Sequence, residues 1–242
     1  MSRENTCTLV GRISAKAITF IEDFGTYKIG FNLSVLRKNG RVDYPRVVIY
    51  GLNEKRARKL WDNLKENYFA IVRGMISTRM ITRSFICPMC GKERTINSLV
   101  TEIVAFSPPV ILKENYNADE FYEIANSISL LGWVCSAEVQ HPNDNVTMYQ
   151  IAVERRFTVK EQGETNKDFP WIKSFAENAV SDAKFLTHGS QIYIRGSVQT
   201  REFQRAISCE DPVCDGKSIY TETVAEVIST NNEYLHNCNV SG

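Results

Sequence analysis

Four of the seven cysteines fall as two close pairs, Cys87/Cys90 in ICPMCG and Cys209/Cys214 in SCEDPVC. CPMCG is the knuckle of zinc ribbons, in which both thiolates reach one tetrahedral Zn²⁺, and the wider second spacing is also within the zinc range. A structural site takes four ligands, and each pair supplies two. The expectation is one closed, structural zinc ligated by Cys87, Cys90, Cys209 and Cys214, clipping two parts of the chain together. Three alternatives stand beside it: His236 and Cys238 joining one pair, pairs that have lost their metal, or separate disulfides. An odd cysteine total with short spacings fits metal ligation or buried thiols better than a disulfide framework. Cys7 and Cys135 lie in strand-like runs and read as ordinary buried thiols. His141 and His188 sit in turn-like surroundings with no partner that suggests catalysis. No phosphate-cradling glycine loop, HExxH, GxSxG or repeated carboxylate spacing is present, so no enzyme is expected.

A second chemistry comes from rings alternating with cations. In DYPRVVIY a period of two puts Tyr44, Arg46, Val48 and Tyr50 on one face and Pro45, Val47 and Ile49 on the other. The matching later set is Phe169, Trp171, Lys173 and Phe175. A long strand adds Arg73, Met75, Ser77, Arg79 and Ile81, and its counterpart adds Arg195, Ser197, Gln199, Arg201 and Phe203. Two further strands end in Arg37–Lys38 and in Arg155–Arg156–Phe157. Flat rings stack on any base, and guanidinium or ammonium groups neutralise a phosphate backbone, so this face suits an unpaired polynucleotide. The competing explanation is that aromatics in strands simply pack well.

The elements that must carry these residues occur twice. RGMISTRMITRSFIC and RGSVQTREFQRAISC share Arg73/Arg195, Gly74/Gly196, Thr78/Thr200, Arg79/Arg201 and Cys87/Cys209 at one offset. A repeat of this period sets the architecture. Strands are expected at Thr6–Ser14, Tyr27–Arg37, Asp43–Tyr50, Phe69–Ser84 and Asn97–Phe106, with a helix capped by Asn53 between the third and fourth. Ala57, Leu60, Trp61 and Leu64 form its apolar stripe. Three strands, a helix and two strands is the plan of the OB-fold, a five-stranded Greek-key barrel. The fold expected is all-β: two tandem OB-folds with one short helix and one cysteine-bearing hairpin each. They span residues 1–112 and 127–230, with a linker at 113–126, a tail at 231–242, and an exposed, mobile insertion at Thr158–Lys167.

Charge divides with the repeat. Residues 1–115 hold 19 Lys+Arg against 10 Asp+Glu, and residues 116–242 hold 10 against 18, so a net +9 half precedes a net −8 half. One unit would then supply most of any attraction to a polyanion, or the halves attract each other. No apolar run approaches the ~20 residues of a spanning helix, and a soluble, cytoplasmic chain is expected.

The run DYPRVVIYGLNEKRARKLWDNLKENYFAIVRGMISTR resembles the middle of bacterial and phage single-stranded DNA-binding proteins. There a short strand ends in aromatic-Gly, a helix follows, and the next strand ends in an xTR motif. DFPWIKSFAENAVSDAKFLTHGSQIYIRGSVQTREF is similar, more loosely at its helix, and each resemblance covers most of its unit. The resemblance implies base stacking by Tyr44 and Tyr50 in the first unit, and by Phe169, Phe175, Phe157 and Phe203 in the second. Asn39 and Ile81 stand where the first unit would need its other two rings. It also implies sequence-tolerant protection of single-stranded DNA in replication, recombination, or phage and plasmid DNA metabolism. Replication or recombination proteins would be partners, with no membrane. The chain would be a monomer, or a homodimer that supplies four barrels. RNA as the ligand, or a protein-interaction adaptor built on degenerate barrels, remains an alternative reading.

Overall fold

The computed structural model describes residues 4–112, 125–163, 166–209, 214 and 217–239. In the first unit β1 (Asn5–Ile21), β2 (Thr26–Leu36), β3 (Val42–Asp43) and β4 (Arg46–Leu52) precede α1 (Glu54–Asn63). Then come β5 (Phe69–Ile86), β6 (Glu93–Ala105) and the short β7 (Val110–Leu112). Ile29, Phe31, Leu33 and Val35, predicted to share one side of the second strand, are all buried. Asn53 Oδ1 accepts from the Arg56 N–H at the start of α1, and Ala57, Leu60 and Leu64 are buried beneath it. Pairings β1–β2, β2–β4, β4–β6, β6–β5 and β5–β1 form a closed circuit, the five-stranded barrel predicted.

Two strands differ from expectation for local reasons. The third is broken into β3 and β4 at Tyr44–Pro45, because proline has no N–H for the ladder. β1 does not stop at Ser14. A register shift there, with Ala15 at φ 34°, bends the strand, and the ladder with β2 continues to Ile21–Thr26.

The second unit repeats the circuit. β8 (Asn126–Val134), β9 (Gln140–Asn143), β10 (Val146–Glu154), β11 (Lys167–Asp168) and β12 (Trp171–Phe175) lead into α2 (Ala176–Phe185). They are followed by β13 (Gln191–Ser208) and β14 (Lys217–His236). β8, β10, β12, β14 and β13 close on one another as in the first unit. The repeated Arg-Gly has a steric cause. A Cβ at Gly74 would lie 2.5 Å from the Val104 carbonyl oxygen, and one at Gly196 would lie 2.1 Å from that of Ile228. Only glycine lets the neighbouring strand approach so closely.

Residues 113–124 of the expected linker lie outside the described residues; Ala125 is buried and its carbonyl accepts from Val10 N–H. β14 runs past residue 230 to His236 and pairs there with Gln191, so part of the expected tail at 231–242 is ladder. Among the described residues no helix is long and apolar enough to cross a membrane.

A shared ladder and a buried clasp are among the contacts that join the units. β1 pairs antiparallel with β8 from Asn5–Leu130 to Leu9–Asn126, so both barrels share one continuous sheet. A reciprocal clasp adds to this. Asp43 accepts from Arg37 Nε (2.6 Å) and from the backbone N–H of Thr200 in the other unit (2.6 Å). Asp168 accepts from Arg155 Nε (2.8 Å) and Nη2 (2.8 Å), and from the backbone N–H of Thr78 in the other unit (2.6 Å). Each threonine hydroxyl in turn accepts the N–H after the opposing aspartate, Tyr44 onto Thr200 (2.9 Å) and Phe169 onto Thr78 (2.8 Å).

The two halves of the clasp differ in depth. Arg155 and Asp168 are both buried, whereas the Arg37 side chain is 20% exposed. Asp168→Ala leaves an uncompensated buried guanidinium and should cost about 3–5 kcal/mol. Asp43→Ala lets Arg37 turn to water and should cost about 1–3 kcal/mol. Urea unfolding of the two variants checks the order, and equal losses would contradict it.

Candidate nucleic-acid interface and thiol cluster

In the second unit the alternation of β12 buries Ile172 and Ser174 and turns Trp171, Lys173 and Phe175 outward. Ile172 pairs with the buried Val227 of β14, so Ile228, Glu226 and Val224 share the outward side. Glu226 pairs with Gln199, which puts Arg201 and Phe203 of β13 on that side too. Phe175 is 45% exposed and Phe203 39% exposed. Cations lie over both rings: Lys173 Nζ is 5.6 Å from the Phe175 centroid, and the Arg201 guanidinium 5.0 Å from that of Phe203. Arg201 is also held by Glu226 (2.7 Å). Phe169 is exposed at the entry to β12. The face is therefore an open sheet carrying rings and cations side by side.

The corresponding face of the first unit is covered. The insertion expected to be an exposed, mobile loop instead forms a 3₁₀ turn at Lys160–Gln162 that docks there; residues 164–165 lie outside the described residues. Val159 is buried against Met75 and Val104, with Tyr50 at the edge. Gln162 accepts from Ser77 Oγ (2.8 Å) and donates to Glu102 Oε1 (2.8 Å) and Tyr50 Oη (3.1 Å). Glu161 accepts from Thr26 Oγ1 (3.0 Å). A buried carboxylate and a hydroxyl on a sheet face need partners, and this segment supplies them.

That cover corrects several expectations. Tyr50 is half-buried rather than open: its hydroxyl donates to Glu102 (2.8 Å), and burial with that carboxylate pushes its pKa up, so it remains a donor. Arg79 is paired with Glu102 (3.2 Å). Arg155, expected to meet a backbone phosphate, is buried in the clasp and also donates to Ser77 Oγ (3.2 Å). Arg37 is likewise a clasp residue. Phe157 is exposed but stands apart from β12, edge-on to Phe106 (6.0 Å), with Arg156 over Phe106 (5.5 Å). Lys38 and Arg73 are exposed.

Tyr44, 50% exposed, and Arg46 do reach open surface. The Arg46 guanidinium lies across Gly30, where a Cβ would fall 2.7 Å from Nη2. They line a groove of about 580 Å³ between the units, together with Arg83, Thr101, Thr200 and Val224. Val224 belongs to the outward face of the second unit, so the groove continues that face toward the basic half. Sequence reasoning gave no role at the site to Asp43, Asp168, Thr78, Thr200, Glu102 or Gln162, although it named the two threonines as marks of the repeat. A signal was present for four of them: the aspartate before aromatic-Pro and the threonine before arginine recur in both units.

The cysteines expected to share a metal are together. Cys87, Cys90, Cys209 and Cys214 place their sulfurs within 4.8 Å of one another, and they could hold a metal ion. Both short separations cross between units, Cys87–Cys214 at 4.0 Å and Cys90–Cys209 at 3.8 Å. Backbone N–H groups of Cys90 and Met89 pull the Cys87 thiol down to about 6, favouring the thiolate that a metal requires. His236 and Cys238 are at the far end of β14, beside Gln191, and do not join either pair. Cys7 is a buried β1 thiol, pushed up to about 12 by burial. Cys135 follows β8, half-buried, and donates to the Gln150 carbonyl (3.4 Å).

Residues 125–228 match the model of the single-strand binding protein family. Among curated proteins, single-stranded DNA-binding protein 2 of Listeria innocua is 32% identical over 108 residues, covering 40% of this chain and 62% of that protein. Single-stranded DNA-binding protein 1 of Staphylococcus aureus is 35% identical over 85 residues, covering 35% of this chain and 49% of that one. The chain thus spans less than two thirds of the length of these relatives. In fold it is similar to the wild-type single-stranded DNA binding protein of Thermus aquaticus, with a TM-score of 0.59 at 13% identity over 97% of this chain and 94% of that one. A deletion mutant of the same Thermus protein gives a TM-score of 0.60 at 14% identity over 97% and 96%. The second unit is thus similar to the single-strand binding protein family, and the first unit repeats its closed topology, so the chain is built as two OB-folds in tandem.

Proposed function

We propose that the protein binds single-stranded DNA with little regard to sequence. Bases stack on Trp171, Phe175, Phe203 and Phe169, while the strand passes through the inter-unit groove beside Tyr44, Arg46 and Arg83. The observation that carries this reading is the open ring-and-cation face on the matched unit, continuous with the groove between the units. Stacking accepts any base because every base has a π-face, and cations act on the backbone alone. The proposed role is protection of single strands in replication, recombination or mobile-element DNA metabolism in the cytoplasm, as a monomer or as a homodimer with four barrels. A structural zinc at the thiol cluster belongs to the same proposal; it would brace the hairpins rather than touch DNA, and no catalytic step is assigned.

Fluorescence titration with oligo-dT tests the face. Phe175→Ala and Phe203→Ala should each weaken binding by about 1–3 kcal/mol, and log affinity should fall linearly with log salt. Unchanged affinity in both variants would sink the proposed face. A matched oligo-rU competitor separates DNA from RNA as the preferred ligand.

The covered first unit behaves differently. Val159→Ala removes a buried packing contact and should lower unfolding stability by about 2 kcal/mol, yet leave oligo-dT affinity within about twofold (under 0.5 kcal/mol). A large affinity loss would mean that the covering segment itself meets DNA.

A further inference from the structure

The thiol cluster lies where β5–β6 and β13–β14, the two longest hairpins, bring their tips together. We infer that one zinc ion per chain, taking two thiolates from each unit, fastens these tips and so turns the two hairpins into a closed brace over the inter-unit groove. The inference rests on reading the cluster as a zinc site and adds how that site is shared and what it holds.

The geometry fits a single tetrahedral centre. With Zn–S near 2.3 Å, the sulfurs of a tetrahedral site stand about 3.8 Å apart, and the two cross-unit pairs are at 3.8 and 4.0 Å. A disulfide would need about 2.05 Å. The knuckle is built for it: Gly91 at φ 67° lets its N–H reach the Cys87 carbonyl (2.9 Å), while Cys87 N–H bonds the Lys92 carbonyl (2.9 Å), folding Cys87 and Cys90 toward one point. Arg94 Nη2 stands 3.1 Å from Cys209 Sγ. Four thiolates on Zn²⁺ carry a net charge of −2, and a guanidinium donating to one sulfur offsets part of it. Binding releases the protons of the thiols, so affinity rises with pH.

Several side-chain contacts between described residues of the two hairpins are weaker than a metal bridge would be. Arg83 donates to Tyr220 Oη (3.0 Å) and sits 3.9 Å from Glu222; Phe85 and Tyr220 stand 6.2 Å apart by centroid; Arg205 donates to the Asn97 carbonyl (3.3 Å). Partly exposed pairs of this kind add little. At their roots the hairpins are held by the barrels, by β1–β8 and by the Asp–Thr clasp. A metal at the tips would hold them at the other end as well, with Arg83, Thr101 and Val224 of the groove wall between.

The test uses the full chain. Reconstitution with Co²⁺ should give one equivalent per chain, on native mass spectrometry of the monomer, with the visible and charge-transfer bands of a tetrathiolate centre. Both Cys87→Ser and Cys209→Ser should abolish that spectrum. In wild type, stripping the metal with a chelator should raise amide exchange at residues 80–86 and 201–208 by tenfold or more, with β1 and β8 unchanged. No metal uptake would overturn the zinc reading itself. Uptake that survives Cys209→Ser, a half-equivalent per chain, or uptake only in dimers would overturn the sharing. Full uptake with unaltered exchange at the tips would overturn the brace. None of these readouts uses DNA, so they stand apart from the binding proposal.

Discussion

Two buried carboxylates hold this molecule in its arrangement. Asp43 and Asp168 have no access to water, so each must be satisfied by protein donors, and in both cases part of that set comes from the other unit. An aspartate that needs the opposing Thr-Arg strand to be solvated cannot tolerate a barrel that drifts. The β1–β8 ladder sets the line of contact; the clasp sets where along that line each unit sits. Everything proposed for the surface depends on this, because the inter-unit groove exists only while Tyr44 and Arg46 face Val224 at that register.

The clasp is symmetric in pattern, yet the surfaces on either side of it are not. The connection after β10 is long enough for Val159, Glu161 and Gln162 to fold back over the first unit's outward face. The connection after β2 is the short KNGR turn, which does not cover the second unit in this way. One duplicated sheet face is thereby lined with Met75, Val104 and Glu102 under cover, and the other remains open with Trp171, Phe175 and Phe203. The charge division follows the same logic. The open face lies on the acidic unit, where Lys173 and Arg201 stand over rings, and the groove leads from it to Arg46 and Arg83.

Much of this was legible in the residues, and the failures have one cause. Barrel strands, helix cap and core alternation could be read because each depends on neighbours a few positions away. The four-cysteine cluster could be read because a half-site on each repeat is incomplete alone. Tyr50, Arg79 and Arg155 were misplaced because period two tells which side of a strand a residue faces, but not what covers that side. Arg155 looks like a surface cation until Asp168 and Ser77 surround it, and nothing local announces that Val159 will lie on Met75.

A single chain with two barrels also permits what a symmetric assembly of identical barrels cannot. In an isologous pair every substitution appears on both sides of the axis. A segment that covers one binding face would then cover its mate, and rings lost from one would be lost from both. Once the two units are fused, the first can give its face to packing and keep its cations, while the second keeps its rings. The hairpins could diverge as well, to CPMC in one and CEDPVC in the other, provided their tips still meet. Unequal halves are thus what fusion allows, and the Asp–Thr clasp is what lets them diverge without coming apart.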